Sequence, residues 1–434
     1  MLILYNLLLT LGAPIWVPWT ILRARRRGSP VDWAQRQGRY PQLGPPGERP
    51  RVWFHAVSVG ETVAALPILR RLRAHPANPE VVLTVTTSSG HETATTQAAG
   101  LYDHLLYFPI DVARFAMGAM QAVRPGAFAV METELWFNAL YAAKTFDAVT
   151  LLVNGRISER NHARSRWARP FYRAMLRELE RALMQTAGDA ERVRSLGAQG
   201  VEVMGNVKFD AAREAPTRGR AFWVSELGFD PARPIVVVGS TRGVDEEEFV
   251  LKALDLIGRE TVQVVHAPRH IERAEAIAQK VPGATRRSRG ERGVYTILDT
   301  YGELADVYGA ADVAIVGGGF GEYGGQNILQ PLAKGVPTLH GPHMGNFRDV
   351  ARIAGKAGAT RVCATSEELA QALRDLLANE PARREMGVRA AAMFEAHAGA
   401  ADRYADAIVA AAIEGKAAYD RKTALLRERR AARG

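Results

Sequence analysis

The chain predicts an α/β protein built as two successive parallel-sheet domains, and three observations carry that prediction. Short apolar, β-branched segments alternate with longer segments of helical apolar period along most of the 434 residues. That is the pattern of a parallel sheet whose crossovers are helices. The alternation pauses once, over "NVKFDAAREAPTRGR" (206–220), and then restarts. The length suits two domains of ordinary size, and a hydrophobic content of 47% lets each bury its own core.

The first segment stands apart. "MLILYNLLLTLGAPIWVPWTIL" carries no charge and ends at the cluster Arg23–Arg27. Its length is at the edge of what spans a bilayer. Gly12, Pro14 and Pro18 speak against a straight helix, and a cleaved signal peptide fits poorly because no basic residue precedes the apolar run. Residues 1–27 are therefore expected to form a membrane anchor, spanning or interfacial. The arginines would face the cytoplasmic leaflet of the inner membrane, with Tyr5, Trp16 and Trp19 at headgroup level. A core helix of the first domain is the competing reading.

"GPPGERP" then reads as a linker ending near Pro50. The first domain, 50–213, takes its strands from "RVWFHAV", "EVVLTVTT", "AFAVME", "VTLLVN" and "RALMQT". The second, 217–400, takes them from "PIVVVGS", "VQVVHAP", "VYTILDT", "DVAIVGG" and "VPTLHG". From Ser366 the chain is helical, and 401–434 reads as a basic helical tail. Two such domains facing one another imply a ligand cleft between them.

The formal charge of +10 predicts attraction to anions, which nucleic acid, anionic lipid and phosphorylated substrates all satisfy. The single cysteine, Cys363, precludes an internal disulfide, and its setting "ATRVCATS" reads as a strand with a core thiol. His340 and His343 are spaced H-x-x-H without a third ligand at zinc spacing, so they read as loop or core residues and no metal is expected. No Walker loop, G-x-S-x-G or Cys/His pair is present.

"GGGFGEYGGQN" (317–327) contains a literal G-x-G-x-x-G, Gly319 to Gly324. A dinucleotide fingerprint belongs after the first strand of its domain, with a carboxylate ending the next strand. Here several strands precede it, and the next one ends in His340. A glycine-rich strand-to-helix turn instead suits one phosphate of a nucleotide sugar, held by backbone N–H groups such as those of Gly318 and Gly319 and by a helix N-terminus. Asn327 and Gln330, at i and i+3 of the following helix, are then placed to reach a ribose or base. A tight turn without ligand is the alternative.

Five other strand ends carry chemistry. "SVGE" brings Ser58, Gly60 and Glu61 to a helix start, where the glutamate is either a dipole-compensating cap or a general base. "METELW" holds Glu132 and Glu134, which face one ligand only if the chain turns there. "HAPRH" offers Pro268 and the phosphate-binding type Arg269. "GSTR" and "DTYGEL" contribute Ser240 to Arg242, and Tyr301, Gly302 and Glu303.

As a set, "FHAVSVGE", "FPID", "METELWFN", "NGRISERN", "GNVKFD", "GST", "APRH", "DTYGELADVYGAADVAIVGG", "GGQNILQP" and "GPHMGNF" resemble the 3-deoxy-D-manno-octulosonic acid (Kdo) transferases of lipopolysaccharide assembly. The resemblance covers nearly the whole chain in order. It implies the GT-B glycosyltransferase fold, two Rossmann-like domains with the active site between them. It also implies inverting transfer of Kdo from CMP-Kdo to a lipid A precursor, without a required metal or other cofactor. By the same resemblance Glu61 matches the catalytic base, and Glu132 and Lys208 match groups that stabilise the transition state. Pro268, Arg269, Tyr301 to Glu303, and Asn327 to Gln330 match segments that bind CMP, with Ser240, Gly318 and Gly319 on the same donor side. Ser58, Gly60 and Glu134 fall on the acceptor side. The implied partners are CMP-Kdo or a related nucleotide sugar, a phosphorylated lipid acceptor and an anionic membrane surface, with no nucleic acid.

The departures lie on the donor side. The family pattern "GGHNxxEP" reads "GGQNILQP" here, so Gln330 replaces a glutamate and loses charge-assisted hydrogen bonding to ribose. "GSTH" becomes "GSTR" at Arg242, "DTMGEL" carries Tyr301, and "GGS" becomes "GGG" at Gly319. A same-family enzyme with another nucleotide sugar or glycolipid acceptor is therefore an alternative. A sugar-nucleotide epimerase and a non-enzymatic nucleic-acid- or lipid-binding protein are others.

Overall fold

Fourteen short segments, most of them runs of valine, isoleucine, leucine and alanine, pair in parallel in a computed structural model of the chain. It describes residues 1–26, 32–159, 161–162, 168–215 and 217–431. The chain divides into two units, Met1–Asp210 with Gly399–Gly434, and Ala211–Ala398.

The first unit contains β1 (Arg51–His55), β2 (Glu80–Val85), β3 (His104–Tyr107), β4 (Ala127–Met131), β5 (Val149–Gly155), β6 (Arg181–Met184) and β7 (Val201–Val203). They form one sheet in the order β3-β2-β1-β4-β5-β6-β7. Strands β1, β4 and β5 are buried along their whole length, which is why their sequences are mostly apolar, with Arg51, His55, Thr150 and Asn154 as buried polar exceptions. The second unit contains β8 (Ile235–Thr241), β9 (Gln263–Pro268), β10 (Thr285–Arg286), β11 (Tyr295–Ile297), β12 (Val313–Val316), β13 (Thr338–His340) and β14 (Thr360–Val362). Their order is β10-β11-β9-β8-β12-β13-β14. In each sheet the winding direction reverses once, beside β1 and β4 in one and beside β8 and β12 in the other. Ligands of open α/β sheets bind at such points, outside the carboxyl ends of the strands.

The last helix, Ala400–Ala431, differs from the expected separate tail. Ala401, Tyr404, Ala405, Ile408, Val409 and Ala412 are buried in the core of the first unit. The helix backbone lies against the turn before β4. A Cβ added to Gly126 would sit 2.1 Å from the Ala412 carbonyl oxygen, and one added to Gly415 would sit 2.1 Å from that of Gly126. The Asp210 carboxylate accepts from Gly399 N (2.8 Å) and Ala401 N (3.1 Å), closing the unit at its crossing point. The unit boundaries therefore fall at 210/211 and 398/399. A basic composition had masked an apolar stripe at helical spacing.

The first helix, Leu2–Arg26, runs unbroken through Pro14 and Pro18, contrary to the expected interruption. Its opening turns are fastened to the first unit. The Tyr5 hydroxyl donates to Asp111 Oδ2 (2.8 Å), Asn6 Nδ2 donates to Asn138 Oδ1 (2.8 Å), and the Tyr5 ring packs on Phe137 and Phe171 at 5.8 and 5.7 Å. Tyr5 is therefore a docking residue, not a headgroup anchor. Ile3, Leu4, Leu7, Leu8, Leu11 and Ile15 are exposed on another side of the helix. The side chains of Trp16, Trp19 and Arg23–Arg27 lie outside the described residues. Among those described, no helix is long and apolar enough to cross a membrane.

Candidate functional site

In the first unit, β1 feeds the helix Val59–Ala74 through Ser58, whose side chain makes no capping hydrogen bond. Glu61 takes that role by reaching back, its Oε2 accepting from Val57 N at 2.6 Å. Cap and base are therefore compatible duties, because Oε1 remains for an incoming hydroxyl. Burial pushes the Glu61 carboxyl up to about 7, with the Glu134 and Glu132 charges adding to the rise and Val57 N–H and Arg156 opposing it. A carboxyl poised there suits proton abstraction near neutral pH. Gly60 is exposed and a Cβ on it would meet nothing within 4 Å, so the space above this helix start is open.

Glu132 follows β4 with φ of +53°, a conformation that L side chains avoid. Its N–H donates to Val153 O (2.9 Å) and its carbonyl accepts from Arg156 N (3.3 Å). The turn so formed is what brings the two carboxylates of "METELW" into one neighbourhood. Burial raises the Glu134 carboxyl, and the Glu132 charge adds to the rise. Lys208 Nζ and Arg156 Nε each lie 3.7 Å from a Glu132 carboxylate oxygen. Asn154, also at positive φ (+52°), accepts from Val207 N (3.3 Å), and Asn206 accepts from Lys208 N (3.0 Å). These contacts hold Lys208 at the carboxyl ends of β4 and β5. Glu61, Glu132, Glu134 and Lys208 thus form one cluster in the first unit. Arg156 and Asn154 were missed. Both lie in or beside "NGRISERN", a stretch whose individual residues carried no assigned role.

In the second unit, Ser240 sits at a bulge of β8 with φ of +61°. Thr241 O accepts from Arg269 N (2.9 Å), so the "GSTR" and "APRH" segments lie side by side, Pro268 buried and Arg269 exposed. Positive φ at Glu132 and Ser240 marks strain at two strand ends singled out for chemistry. Tyr301 is 73% exposed, and Gly302 adopts φ of +86°. Burial alone would raise the Glu303 carboxyl, but Arg287 (3.2 Å), Thr300 (2.5 Å) and Arg218 (3.7 Å) hold it below the usual carboxylate range. Its carboxylate is engaged by the protein itself.

The glycine loop overturns one expectation. Glu246, 1% exposed, accepts four backbone N–H groups: Gly318 (2.6 Å) and Arg242 (2.8 Å) on Oε2, Phe320 (2.9 Å) and Gly321 (3.1 Å) on Oε1. A carboxylate of the protein thus occupies the place foreseen for a phosphate at Gly318. The helix beyond the loop is a single turn, Leu329–Leu332, with Pro331 inside it. Asn327 precedes that turn and caps it, Oδ1 accepting from Leu329 N (3.0 Å), so Asn327 and Gln330 do not share a helix face. Gly319 lies against the next loop. A Cβ on Gly341 would come within 2.1 Å of the Gly319 carbonyl oxygen, which accepts from His343 N (3.0 Å). Glu246 was missed because "DEEEF" at a helix start reads as ordinary dipole compensation.

Cys363 is buried, its thiol pushed up to about 11 chiefly by that burial, in keeping with a core residue. Among the described residues no group of three or more His, Cys, Asp or Glu is placed to hold a metal ion.

Known proteins match this architecture. A family model described as 3-deoxy-D-manno-octulosonic-acid transferase (kdotransferase) matches residues 31–211. The 3-deoxy-D-manno-octulosonic acid transferase of Bordetella pertussis is 36% identical, over 93% of this chain and 98% of its own length. That of Chlamydophila psittaci is 30% identical, over 80% and 82%. That of Haemophilus influenzae is 27% identical, over 86% and 90%. Among solved structures, MurG of Acinetobacter baumannii (TM-score 0.54, 16% identity, 82% of this chain and 99% of that one) shares the fold. So does a glycosyltransferase of Rickettsia africae (TM-score 0.57, 10% identity, 86% and 99%). Two parallel-sheet Rossmann-like units of the GT-B type, carrying the family's motifs at their strand ends, place the chain in the 3-deoxy-D-manno-octulosonic acid transferase family of glycosyltransferases.

Proposed function

We propose that this Kdo transferase moves Kdo from CMP-Kdo to a phosphorylated lipid A precursor with inversion, and that Glu61 is the general base. The observation that carries the assignment is the cluster at the strand ends of the first unit, where Glu61, its Oε2 held by Val57 N, lies beside Glu134 and the Glu132 carboxylate flanked by Lys208 and Arg156. In this scheme Glu61 takes the proton of the acceptor hydroxyl as its oxygen attacks the anomeric carbon. The bond to the CMP phosphate breaks, and its electron pair leaves with CMP. Glu132, held by Lys208 and Arg156, fixes the charge around the reacting hydroxyl. Arg269 and the Ser240 bulge are the elements assigned to the nucleotide, since the N–H groups of Gly318, Phe320 and Gly321 in the glycine loop are turned to Glu246. Gln330 would accept from ribose through its amide carbonyl.

The scheme is metal-independent, with Lys208 and Arg156 as its cations, and excess EDTA is expected to leave the transfer rate unchanged. The exposed apolar stripe Ile3–Leu7–Leu11–Ile15 and the +10 charge support an interfacial seat on the cytoplasmic face of the inner membrane. Glu61 and the nucleotide-side residues belong to different units, so the test uses the intact chain. Calorimetric titration with CMP, UMP, UDP and NAD is expected to show CMP binding alone. A uridine nucleotide binding instead would keep the base and reassign the donor, and NAD binding would overturn the proposal.

A further inference from the structure

The second unit carries a cavity at the edge of its sheet opposite the motif-bearing strand ends. It measures about 570 Å³ and is lined by the turns that enter β8, β12 and β13, together with the start of the helix Glu380–His397. Every lining residue belongs to the second unit. Strand β8 runs from Ile235 at this edge to Thr241 beside Ser240. At about 3.3 Å per residue the cavity therefore lies roughly 20 Å from the elements assigned to the nucleotide. Four arginines and two carboxylates line it. Two of these cations are answered. Asp312 Oδ2 accepts from Arg220 Nη1 (3.0 Å) and from Ile235 N (2.8 Å), and Glu380 Oε1 accepts from Arg384 Nη2 (2.5 Å). Arg233 and Arg383 are held by main-chain carbonyls, which are dipoles and leave the charge standing. Arg233 Nη2 donates to the carbonyls of Glu260 and Val262. Arg383 Nη1 donates to Leu376 O (2.6 Å) and Leu377 O (2.8 Å), carbonyls left over at the end of the helix Ser366–Ala378. Those bonds fix its guanidinium, and the side chain keeps 18% of its surface exposed. Its Nη2 stays 4.0 Å from Asp312 Oδ1, beyond hydrogen-bond distance, and among the described residues no hydrogen bond engages it. The lining thus holds two positive charges in excess, one of them on a fixed fork with a donor arm unspent.

We propose that this cavity binds a phosphate-bearing ligand, its phosphoryl oxygens taken by Arg383 Nη2 and the Arg233 guanidinium. Planar guanidinium forks match phosphate geometry, and one already fixed through its other nitrogen loses little rotamer freedom on binding. A cation would meet the excess positive charge, and a neutral ligand would leave it unanswered. Asp312 opposes the anion little, because Arg220 and Ile235 N already take up its charge. The volume falls within the range of small-molecule sites, so there is room for more than a bare phosphate. A soluble diphosphate or phosphate ester and the headgroup of a phospholipid offer the same chemistry, and experiment separates them. The site stands apart from the nucleotide-side residues and does not depend on which donor the enzyme uses.

The test is phosphorus NMR of two probes titrated with the full-length protein: inorganic pyrophosphate, and dihexanoyl phosphatidic acid kept below its micelle concentration. At least one is expected to broaden on binding wild type. Arg383→Gln and Arg233→Gln are each expected to weaken that probe roughly tenfold, and Ala232→Glu, which sets a carboxylate at the rim, to abolish its binding. Arg269→Gln, at the opposite edge of the sheet, is expected to leave it unchanged. Should Arg383→Gln fail to fold, because it strands the Leu376 and Leu377 carbonyls, Arg233→Gln and the exposed Ala232→Glu decide the matter. Where these variants weaken binding, pyrophosphate alone assigns a soluble phosphate ligand, the lipid alone assigns a headgroup, and both together assign the shared phosphate chemistry. The proposal is overturned if neither probe binds wild type, if Arg233→Gln and Ala232→Glu leave binding unaffected, or if Arg269→Gln removes it in their place.

Discussion

As the proposed base, Glu61 would link stability to activity in opposite directions, which makes it the sharpest point of test. A free glutamate titrates near 4.5, whereas burial holds this one to about 7. The difference corresponds to roughly 3 kcal/mol of preference for the protonated carboxyl in the folded state. That figure is a ceiling, because the group keeps some contact with water. The unfolded chain gives up this proton around pH 4.5 and the folded chain around 7, so between those values the unfolded state binds fewer protons. The Glu61 contribution to stability therefore falls as pH rises through that window and is level above it. Glu61→Gln removes the penalty and keeps an acceptor for Val57 N–H. The variant should match wild type near pH 4.5 and exceed it at pH 8 by up to about 3 kcal/mol, read from urea midpoints. Catalysis runs the other way. Wild-type kcat/KM should rise tenfold per pH unit below about 7 and level off above it, while Glu61→Gln should lose roughly a hundredfold or more. A wild-type profile flat from pH 5.5 to 8, or a Gln variant within a few-fold of wild type, would refute Glu61 as the base.

Other predictions are more local. Glu246→Ala strands four backbone N–H groups, so it should cost at least about 3 kcal/mol of stability and raise the donor KM tenfold or more, measured by urea unfolding and steady-state kinetics. Lys208→Ala should lower kcat about a hundredfold with a urea midpoint close to wild type, since Nζ is partly exposed and its Glu132 contact is 3.7 Å. Leu7→Asp combined with Leu11→Asp leaves the Tyr5–Asp111 docking contact in place, so it should release the protein from anionic vesicles in a sedimentation assay without moving the urea midpoint.

The fold was legible where strands are buried on both faces. "DVAIVGG" and "VTLLVN" announce themselves because strands at the centre of a parallel sheet are mostly apolar, even though Thr150 and Asn154 are buried there. The segments that gave no strand signal were β3, β7 and β10, and each is an edge strand with one neighbour. Their residues are partly exposed, so "HLLY", "VEV" and "TR" carry mixed patterning. The last helix was misplaced for a related reason. Its buried alanines are apolar but small, and a run of charged residues beyond Gly415 dominated the composition. In the site, Glu61 and Glu132 were legible because each lies in a motif at a strand end, whereas Lys208, in the stretch read as the interdomain connection, was reached only through the family resemblance. Arg156 and Asn154 were not legible, because their role comes from a turn that forms only when Glu132 enters the left-handed region beside β5.

Glu246 shows why the glycine-rich loop resembled a phosphate site. Both arrangements need backbone N–H groups converging on one anion, and glycine lets the chain approach closely enough. What differs is where the anion comes from, and Glu246 supplies it from within the chain. The carboxylate joins the loop after β12 to Arg242 beside β8, bridging the two strands at which the sheet reverses direction. A loop already satisfied in this way has no need of a ligand to become ordered, so binding does not bear that entropic cost. It also has less N–H capacity to spend on a phosphate. On the proposed function, that leaves the guanidinium of Arg269 and the strained turn at Ser240 as the charge and the geometry through which the second unit would meet a nucleotide.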